Sequence, residues 1–448
     1  MTYSRTPWRP ARRALALLTL LLVVAVVGST LGLVRPSGWL GGGDALAPGP
    51  ETATEETEPE QKVQASPPGT LPAMLALAPN RLDDDLPLAD VATYADIAAA
   101  TRAHGLAWPV DRTDPSLAAW ESSLDALALP PALAARGLDP AWEATYGFSL
   151  LQSHQVLTVG QAPDTATIIH GDFDVAALNA AWVRSGYQAV EAEGATVWSL
   201  FPGDTIDLSA PASRPALGSF NNVYLLDERT LVAAPKLSLM REVLRVAQGT
   251  APSLAEQPEV AALLAPVALV ESLVTAMLVE GQLFQAAQRD EATPTWLVPR
   301  VELALVGLLP PGLATVDLEE GTLGGQGGQG GGRQGGTPQG GAPPSSPPAA
   351  ATAEAGSGPR MVALLAFDDR EAAETAVSSI QRRLTAGVSS VTGEAYTARV
   401  QPVRVRVIAD APTVLVELGL HRGEADWRRI LDDRDLGPMM WGDEPDPD

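Results

Sequence analysis

The chain contains no cysteine. Disulfides, thiolate metal sites, a cysteine nucleophile and lipid attachment at a cysteine behind a signal segment are therefore excluded. Histidine is almost as scarce. The four, His104, His154, His170 and His421, never stand at ligand spacing, and there is no His-Glu-x-x-His run. Lysine occurs only at Lys62 and Lys236, neither of which follows a glycine-rich run, so there is no Walker loop. No Gly-x-Ser-x-Gly elbow occurs either. Gly325-Gln326-Gly327-Gly328-Gln329-Gly330 matches a dinucleotide fingerprint in letters only, because it sits inside low complexity rather than in a strand-turn-helix context. No catalytic, cofactor-binding or metal residue is assigned from the sequence, and no cofactor is expected.

Positive charge is also in deficit. Thirty basic residues face 54 acidic ones, for a formal charge of −24. Four of the basic residues, Arg5, Arg9, Arg12 and Arg13, precede the hydrophobic segment, and no acid does. The remainder is more acidic still, and such a surface repels phosphate backbones and anionic lipid headgroups. Nucleic acid is excluded as a partner.

Behind those arginines, Ala14 to Val34 runs without a charge. A helix of this length spans a hydrocarbon core of roughly 30 Å, and the basic flank keeps the N-terminus inside. The expectation is a cytoplasmic segment 1–13, a transmembrane anchor or signal segment 14–34, and a C-terminal bulk outside the cytoplasmic membrane. The alternative is secretion after signal cleavage, with Ala14 to Val27 as the apolar core and a site near Gly28 or Ser29. Val26 and Val27 are bulky for that site, and Ala45-Leu46-Ala47 is followed by Pro48. Residues 35–80, rich in Gly, Pro, Thr and Glu, read as a disordered linker suited to a tether. A second apolar stretch, Val260 to Val279, contains Pro266 and Glu271 and reads as buried rather than spanning.

The rest reads as α+β. Residues 81–260 comprise a helical cap and a first unit. In the cap, Val91, Tyr94, Ile97 and Ala98 recur at helical spacing, as do Leu117, Trp120 and Leu124, and Pro130-Pro131 opens a third short helix. From His154 the period shortens. Strands at Val156–Val159 and Thr165–His170 lead to a helix capped by Asp174 and ended by Gly186. Hairpins turn at Glu193-Gly194 and Asp227-Glu228-Arg229, and a helix with Leu237, Met240, Val243 and Leu244 inward closes the unit. Residues 261–440 replay the order. A strand at Met361–Phe367 is followed by a helix capped by Asp368 or Asp369, by Val403, Val405 and Val407 alternating with Arg404 and Arg406, by Val414–Leu418, and by a helix carrying Trp427 and Ile430. Phe173-Asp174 and Phe367-Asp368 mark the same strand-helix junction in each half. The expected fold is a duplicated unit of antiparallel sheet with packed helices, interrupted by a disordered Gly/Pro-rich insert at 321–359 and ended by an acidic tail at 441–448.

Asp83-Asp84-Asp85 and Asp432-Asp433-Arg434-Asp435 lack the ordered spacing of a calcium loop and read as solvated helix termini. His170 reads as a half-exposed strand-end histidine. Trp120, Trp182 and Trp427 fall at core-facing positions, whereas Trp142, Trp198 and Trp296 are left for either packing or stacking on sugar.

The run Tyr146-Gly147-Phe148, Val156 to Gln161-Ala162-Pro163, Gly171-Asp172-Phe173-Asp174 and Gly186-Tyr187, with Ser253-Leu254-Ala255-Glu256-Gln257-Pro258, resembles a group of exported bacterial envelope proteins of unknown function. The resemblance covers about a third of the chain and implies an envelope location without an activity. Together these readings describe a membrane-tethered, extracytoplasmic binding, scaffold or accessory protein. Its expected partners are the membrane through the N-terminal helix and envelope proteins or polysaccharide. The alternative is an envelope hydrolase using a carboxylate pair that the sequence does not locate.

Overall fold

In the computed structural model the chain divides by contacts into Met1–Val63 and Gln64–Asp448. The structure describes residues 67–441 except 84–85, 88–90, 202, 281–300, 312–357, 390–391, 410 and 434. The expected anchor 14–34, nearly all of the insert 321–359 and the tail beyond 441 lie outside the described residues. Among those described, no helix is long and apolar enough to cross a membrane.

The body is α+β, built on one antiparallel sheet of twelve strands. In chain order these are β1 (Val91–Asp96), β2 (Ser153–Gln161), β3 (Asp164–Gly171), β4 (Gln188–Ala192), β5 (Ala195–Ser199), β6 (Asn222–Asp227), β7 (Thr230–Ala234), β8 (Thr275–Glu280), β9 (Leu303–Leu309), β10 (Arg360–Ala366), β11 (Val400–Val407) and β12 (Thr413–Leu420). Across the sheet they run β11-β12-β10-β9-β8-β1-β2-β3-β7-β6-β5-β4. On either side of the central β1–β8 pair a run of antiparallel strands leads into a helix, and a returning hairpin lays its second strand against the last strand of that run. On one side β11–β12 returns against β10, and on the other β6–β7 returns against β3 after a further hairpin, β4–β5. The helices are α6 (Val175–Ser185) after β3 and α10 (Arg370–Ala386) after β10. The Phe173-Asp174 and Phe367-Asp368 pairs stand at these two junctions, although the cap of α10 is Asp369, whose carboxylate accepts from Ala372 N–H at 2.8 Å. Asp174 caps α6 by accepting from Ala176 and Ala177, and Gly186 ends it at φ 91.

Both faces of the sheet are covered, which is why every residue of β9 and β10 is buried and both strands are almost wholly apolar. One face packs Leu157, Ile168, Val232, Leu278, Leu305 and Leu364 under α1 (Leu71–Leu75), α7 (Leu237–Ala247), α8 (Pro258–Leu264) and α9 (Val267–Val270). The other carries two clusters. Val156, Ile169 and Leu231 pack with Trp182 of α6 and with the short helices α3 (Leu117–Ser123), α4 (Pro131–Arg136) and α5 (Pro140–Tyr146). Val306, Ala363 and Val416 pack with α10, α11 (Glu424–Asp432) and α12 (Leu436–Trp441).

Two expectations are corrected. The helical spacing at Val91, Tyr94 and Ile97 belongs instead to strand β1 followed by α2 (Ile97–Ala103). Asp96 caps that helix, and β1 is hydrogen-bonded to both β2 and β8. The expected linker 35–80 also ends early. From Pro67 the chain is part of the fold, and Leu71, Met74, Leu75 and Ala78 are buried in the large cluster. Four apolar side chains meeting a preformed surface are enough to order a segment that cannot fold alone.

Candidate functional site

Residues 67–80 form a strap over one end of β1, β2 and β3. It is fastened by Leu254 N–H donating to Ala78 O at 2.8 Å and by the Pro79–Ser253 bridge. Beneath it lies a polar row set by strand register, Asp96 opposite Gln155 and Gln155 opposite His170. Gln155 Nε2 donates to Asp96 Oδ1 at 3.1 Å, which turns Gln155 Oε1 toward His170 Nδ1 at 3.0 Å. His170 therefore carries its proton on Nδ1. The Tyr94 hydroxyl donates to the strap at Gly69 O (3.0 Å) and lies 3.4 Å from Asp96 Oδ2. Burial raises the Asp96 carboxyl above its ordinary range and, helped by Arg229 and His154, lowers the His170 imidazole.

Gln155 separates the carboxylate from the imidazole, and among the described residues no hydroxyl is hydrogen-bonded to His170. The row is thus a polar seam and lacks the contacts of a nucleophile-base-acid relay. It corrects the half-exposed reading of His170, which is only 9% exposed.

Two predictions arise here. Gly69 sits at φ +82, and a Cβ there would lie 2.5 Å from Gln155 Oε1 and 2.9 Å from His170 Nδ1. Gly69→Ala is expected to destabilise the fold by about 1–3 kcal/mol, read as a lowered urea midpoint. The second concerns acid. With its folded value lowered, His170 contributes stability that is present above the ordinary imidazole value and lost as pH falls through the folded one, since the unfolded chain takes up the proton first. Asp96, raised by burial, acts in the opposite sense, because its folded form gains as pH falls toward the ordinary carboxylate value. His170→Gln should shrink the loss of urea midpoint between about pH 7.5 and pH 5 relative to the unmodified chain. An unchanged loss would show that His170 does not set it.

A second feature lies farther along the same face. Register carries one row through Glu280, Leu303, Ala366 and Thr413 on neighbouring strands. Helix α8 crosses it, leaving a cleft of about 500 Å3. From the helix side the walls are Gln257, Pro258, Glu259 and Ala262, and Glu302, Phe367, Asp368 and Pro412 close the ends. Four carboxylates thus line the cleft, and its described lining holds no lysine, arginine or histidine. Among the described residues no group of three or more His, Asp or Glu is placed to hold a metal ion. Strand alternation puts Thr413 on the face of Leu415, which packs in the cluster under α8. Thr413 is 0% exposed, and its hydroxyl has no hydrogen-bond partner.

The remaining residues singled out in the sequence fall elsewhere. Asp435 is buried, not a solvated helix terminus. Its carboxylate lies 3.2 Å from Arg399 Nη1, which also reaches Asp433 Oδ2 at 3.1 Å, while Arg399 Nε lies 3.1 Å from Glu394 Oε2. Asp83 ends the first strand of a two-stranded ribbon, Arg81–Asp83 with Leu86–Pro87. Trp120, Trp182, Trp427 and also Trp142 are buried, so none of these four is presented for sugar stacking. Trp198 is half-buried, and Trp296 lies outside the described residues. His154 Nε2 lies 3.3 Å from Asp172 Oδ2, and the other oxygen of that carboxylate meets Arg229 at 2.8 Å in a partly exposed ion pair.

No family model matches the chain, and no curated protein matches it by sequence. Among solved structures, crystal form III of TP0453 is similar at a TM-score of 0.33 and 9% identity, covering 81% of this chain and 97% of that one. Crystal form I of the same protein is similar at a TM-score of 0.33 and 10% identity, covering 82% and 98%.

Proposed function

We propose that this chain is a membrane-tethered, extracytoplasmic binding or scaffold protein of the bacterial envelope, without catalysis, whose body is a duplicated α+β unit. The observation that carries the binding reading is the acid-lined cleft under α8, a concave site of ligand size on a sheet otherwise packed on both faces. The address rests on the arginine-flanked apolar run 14–34. The duplication is supported by the common route of the strands outward from β1 and β8.

Fractionation tests the address. The chain is expected in the membrane fraction, with its body digested by protease added outside spheroplasts. A soluble pool whose N-terminus begins near Ser29 would sink the tether. The hydrolase alternative finds acids in the same cleft. It requires turnover of an envelope polysaccharide that Glu259→Gln or Glu302→Gln abolishes, and such turnover would overturn the non-catalytic reading.

A further inference from the structure

We infer that the turn carrying Leu217, with Leu208 and Arg214 beside it, dips into the headgroup layer of the bilayer to which the chain is tethered. The body thereby gains a membrane contact of its own, one that rests on the tether proposed above and goes beyond it. Ser219 N–H donates to Ala216 O at 3.0 Å, and the two central residues of this turn, Leu217 at φ 51 and Gly218 at φ 86, are both left-handed. Asn-Gly builds such a turn with least strain, and leucine is out of place in it. The leucine is nevertheless 68% exposed, so packing does not offset the strain. Nor is the turn loose. Ala216 and Phe220 are buried in the cluster around Trp182, the Tyr146 hydroxyl donates to Ala212 O at 2.8 Å, and the Tyr187 hydroxyl donates to Phe220 O. The fold thus holds a leucine out in water. Ile206 and Leu208, the latter 47% exposed, lie against Gly218 and extend the apolar tip.

Charge points the same way. From Leu208 to Leu226 no acid occurs, in a chain with 54 acids among 448 residues. The one charge in that stretch is Arg214. Its Nε donates to Leu208 O at 3.1 Å and its Nη2 to Ser209 O at 2.6 Å, which fixes the guanidinium beside the leucines and leaves N–H groups over for phosphate. Asp207, at the foot of the tip, accepts from Ser209 N–H at 2.8 Å with Arg214 nearby. Arg136, exposed at the end of α4, stands close enough to act on the Tyr146 hydroxyl that binds Ala212. Apolar side chains flanked by arginine suit the bilayer interface, where leucine reaches acyl chains and guanidinium meets phosphate. Three apolar side chains fall short of the area that a stable protein interface buries. A tether makes the lipid contact intramolecular, so a small patch suffices.

Because the chain has no cysteine, a single one placed by substitution takes a dye at one position only. The test reconstitutes the full-length chain in vesicles of phosphatidylcholine and phosphatidylglycerol. One sample carries the dye at Ser209→Cys, on the tip, and another at Ala247→Cys, exposed on α7 across the sheet. Nitroxide-bearing lipid is expected to quench the first and spare the second, and the dye at position 209 should shift to the blue. Leu217→Asn should lower the docked-to-free ratio by about tenfold, the scale of one leucine returned to water. The urea midpoint should hold or rise in that variant, because asparagine suits the turn. Arg136→Gln should lower the ratio by about fivefold, an effect that shrinks as salt rises. Equal quenching at both positions, quenching at neither, or a Leu217→Asn variant that docks like the parent would each overturn the inference. So would a blue shift without lipid quenching that grows with protein density, which assigns the tip to a second copy. An alkaline carbonate wash keeps this contact and the tether apart. A chain that stays with the vesicles but leaves position 209 unquenched removes the contact and keeps the tether. A chain that the wash strips removes the tether, and the inference with it.

Discussion

Arg399→Ala is expected to lower the unfolding free energy by about 3–5 kcal/mol, the cost of leaving the buried Asp435 carboxylate without its cation. The Arg399 side chain is 2% exposed, and within 3.2 Å its guanidinium meets carboxylates from three positions, Glu394, Asp433 and Asp435. Its Nη2 also donates to Thr392 Oγ1 at 2.9 Å. The Asp435 side chain is only 1% exposed, so water cannot replace the lost donor there. Arg429 stays beside Glu394 and Asp433, at 3.1 and 3.6 Å, and limits the damage at the outer acids. Guanidinium or urea denaturation provides the measurement. Combining Arg399→Met with Asp435→Leu should recover a large part of the loss, because removing both charges also removes the desolvation that the pair had to offset. If the double variant is no better than the single, the site is held by shape rather than charge. The pair ties the start of β11 to the start of α12, so loosening of the C-terminal helix should precede global unfolding in the single variant.

Trp427→Ala should cost about 3–5 kcal/mol as well, through a different term, the cavity left by a large buried side chain. Trp427 is 0% exposed in the cluster beneath α10 and α12, and its indole N–H donates to Ala126 O at 3.1 Å. That bond crosses from α11 to the helical segment inserted between β1 and β2. Two partly exposed contacts follow the same seam, His104 Nε2 with Glu424 Oε1 at 2.9 Å and the Arg428–Asp125 ion pair at 3.1 Å. Such pairs contribute little individually, so the tryptophan anchors the seam. Trp427→Phe keeps most of the volume but orphans the Ala126 carbonyl, and a smaller loss of about 1–3 kcal/mol is expected. Hydrogen exchange distinguishes the seam from the core at large. Enhanced exchange confined to residues 97–127 and α11 agrees with this account, whereas uniform enhancement across the sheet contradicts it.

What was legible in the sequence was local. Asp174 and Gly186 mark the ends of α6 because cap chemistry acts within a few residues, and the apolar run from Met361 announces strand β10. Trp120, Trp182 and Trp427 sit where helical spacing places them. What was hidden depends on distant partners. Val91, Tyr94 and Ile97 satisfy a three-residue period, and only pairing with β8 and β2 makes the first part of that run a strand. The strap looked like linker because its few apolar residues find their partners in α9, β2 and the 254–256 turn. Asp435 looked solvated because Arg399 lies 36 residues before it. The cleft had no sequence pattern at all. Its acids are scattered from Glu259 to Asp368, and the idle hydroxyl of Thr413 is visible only once the sheet and α8 are assembled.

The central seam of the sheet has a consequence for the order of assembly. The Thr275 hydroxyl donates to Tyr94 O across 181 residues, and the β1–β8 pairing runs from Thr275 opposite Ala95 to Val279 opposite Val91, separations similar or longer. The flanking β2–β3 and β11–β12 hairpins, by contrast, pair residues close in sequence. Loop closure favours such local pairs early and leaves the most distant pairing until both flanks exist. Each half therefore waits with one long, apolar strand edge open to water, the edge that will become the middle of the finished sheet. Until β8 arrives, that edge is where the nascent chain is most exposed to pairing with a neighbour instead of with itself.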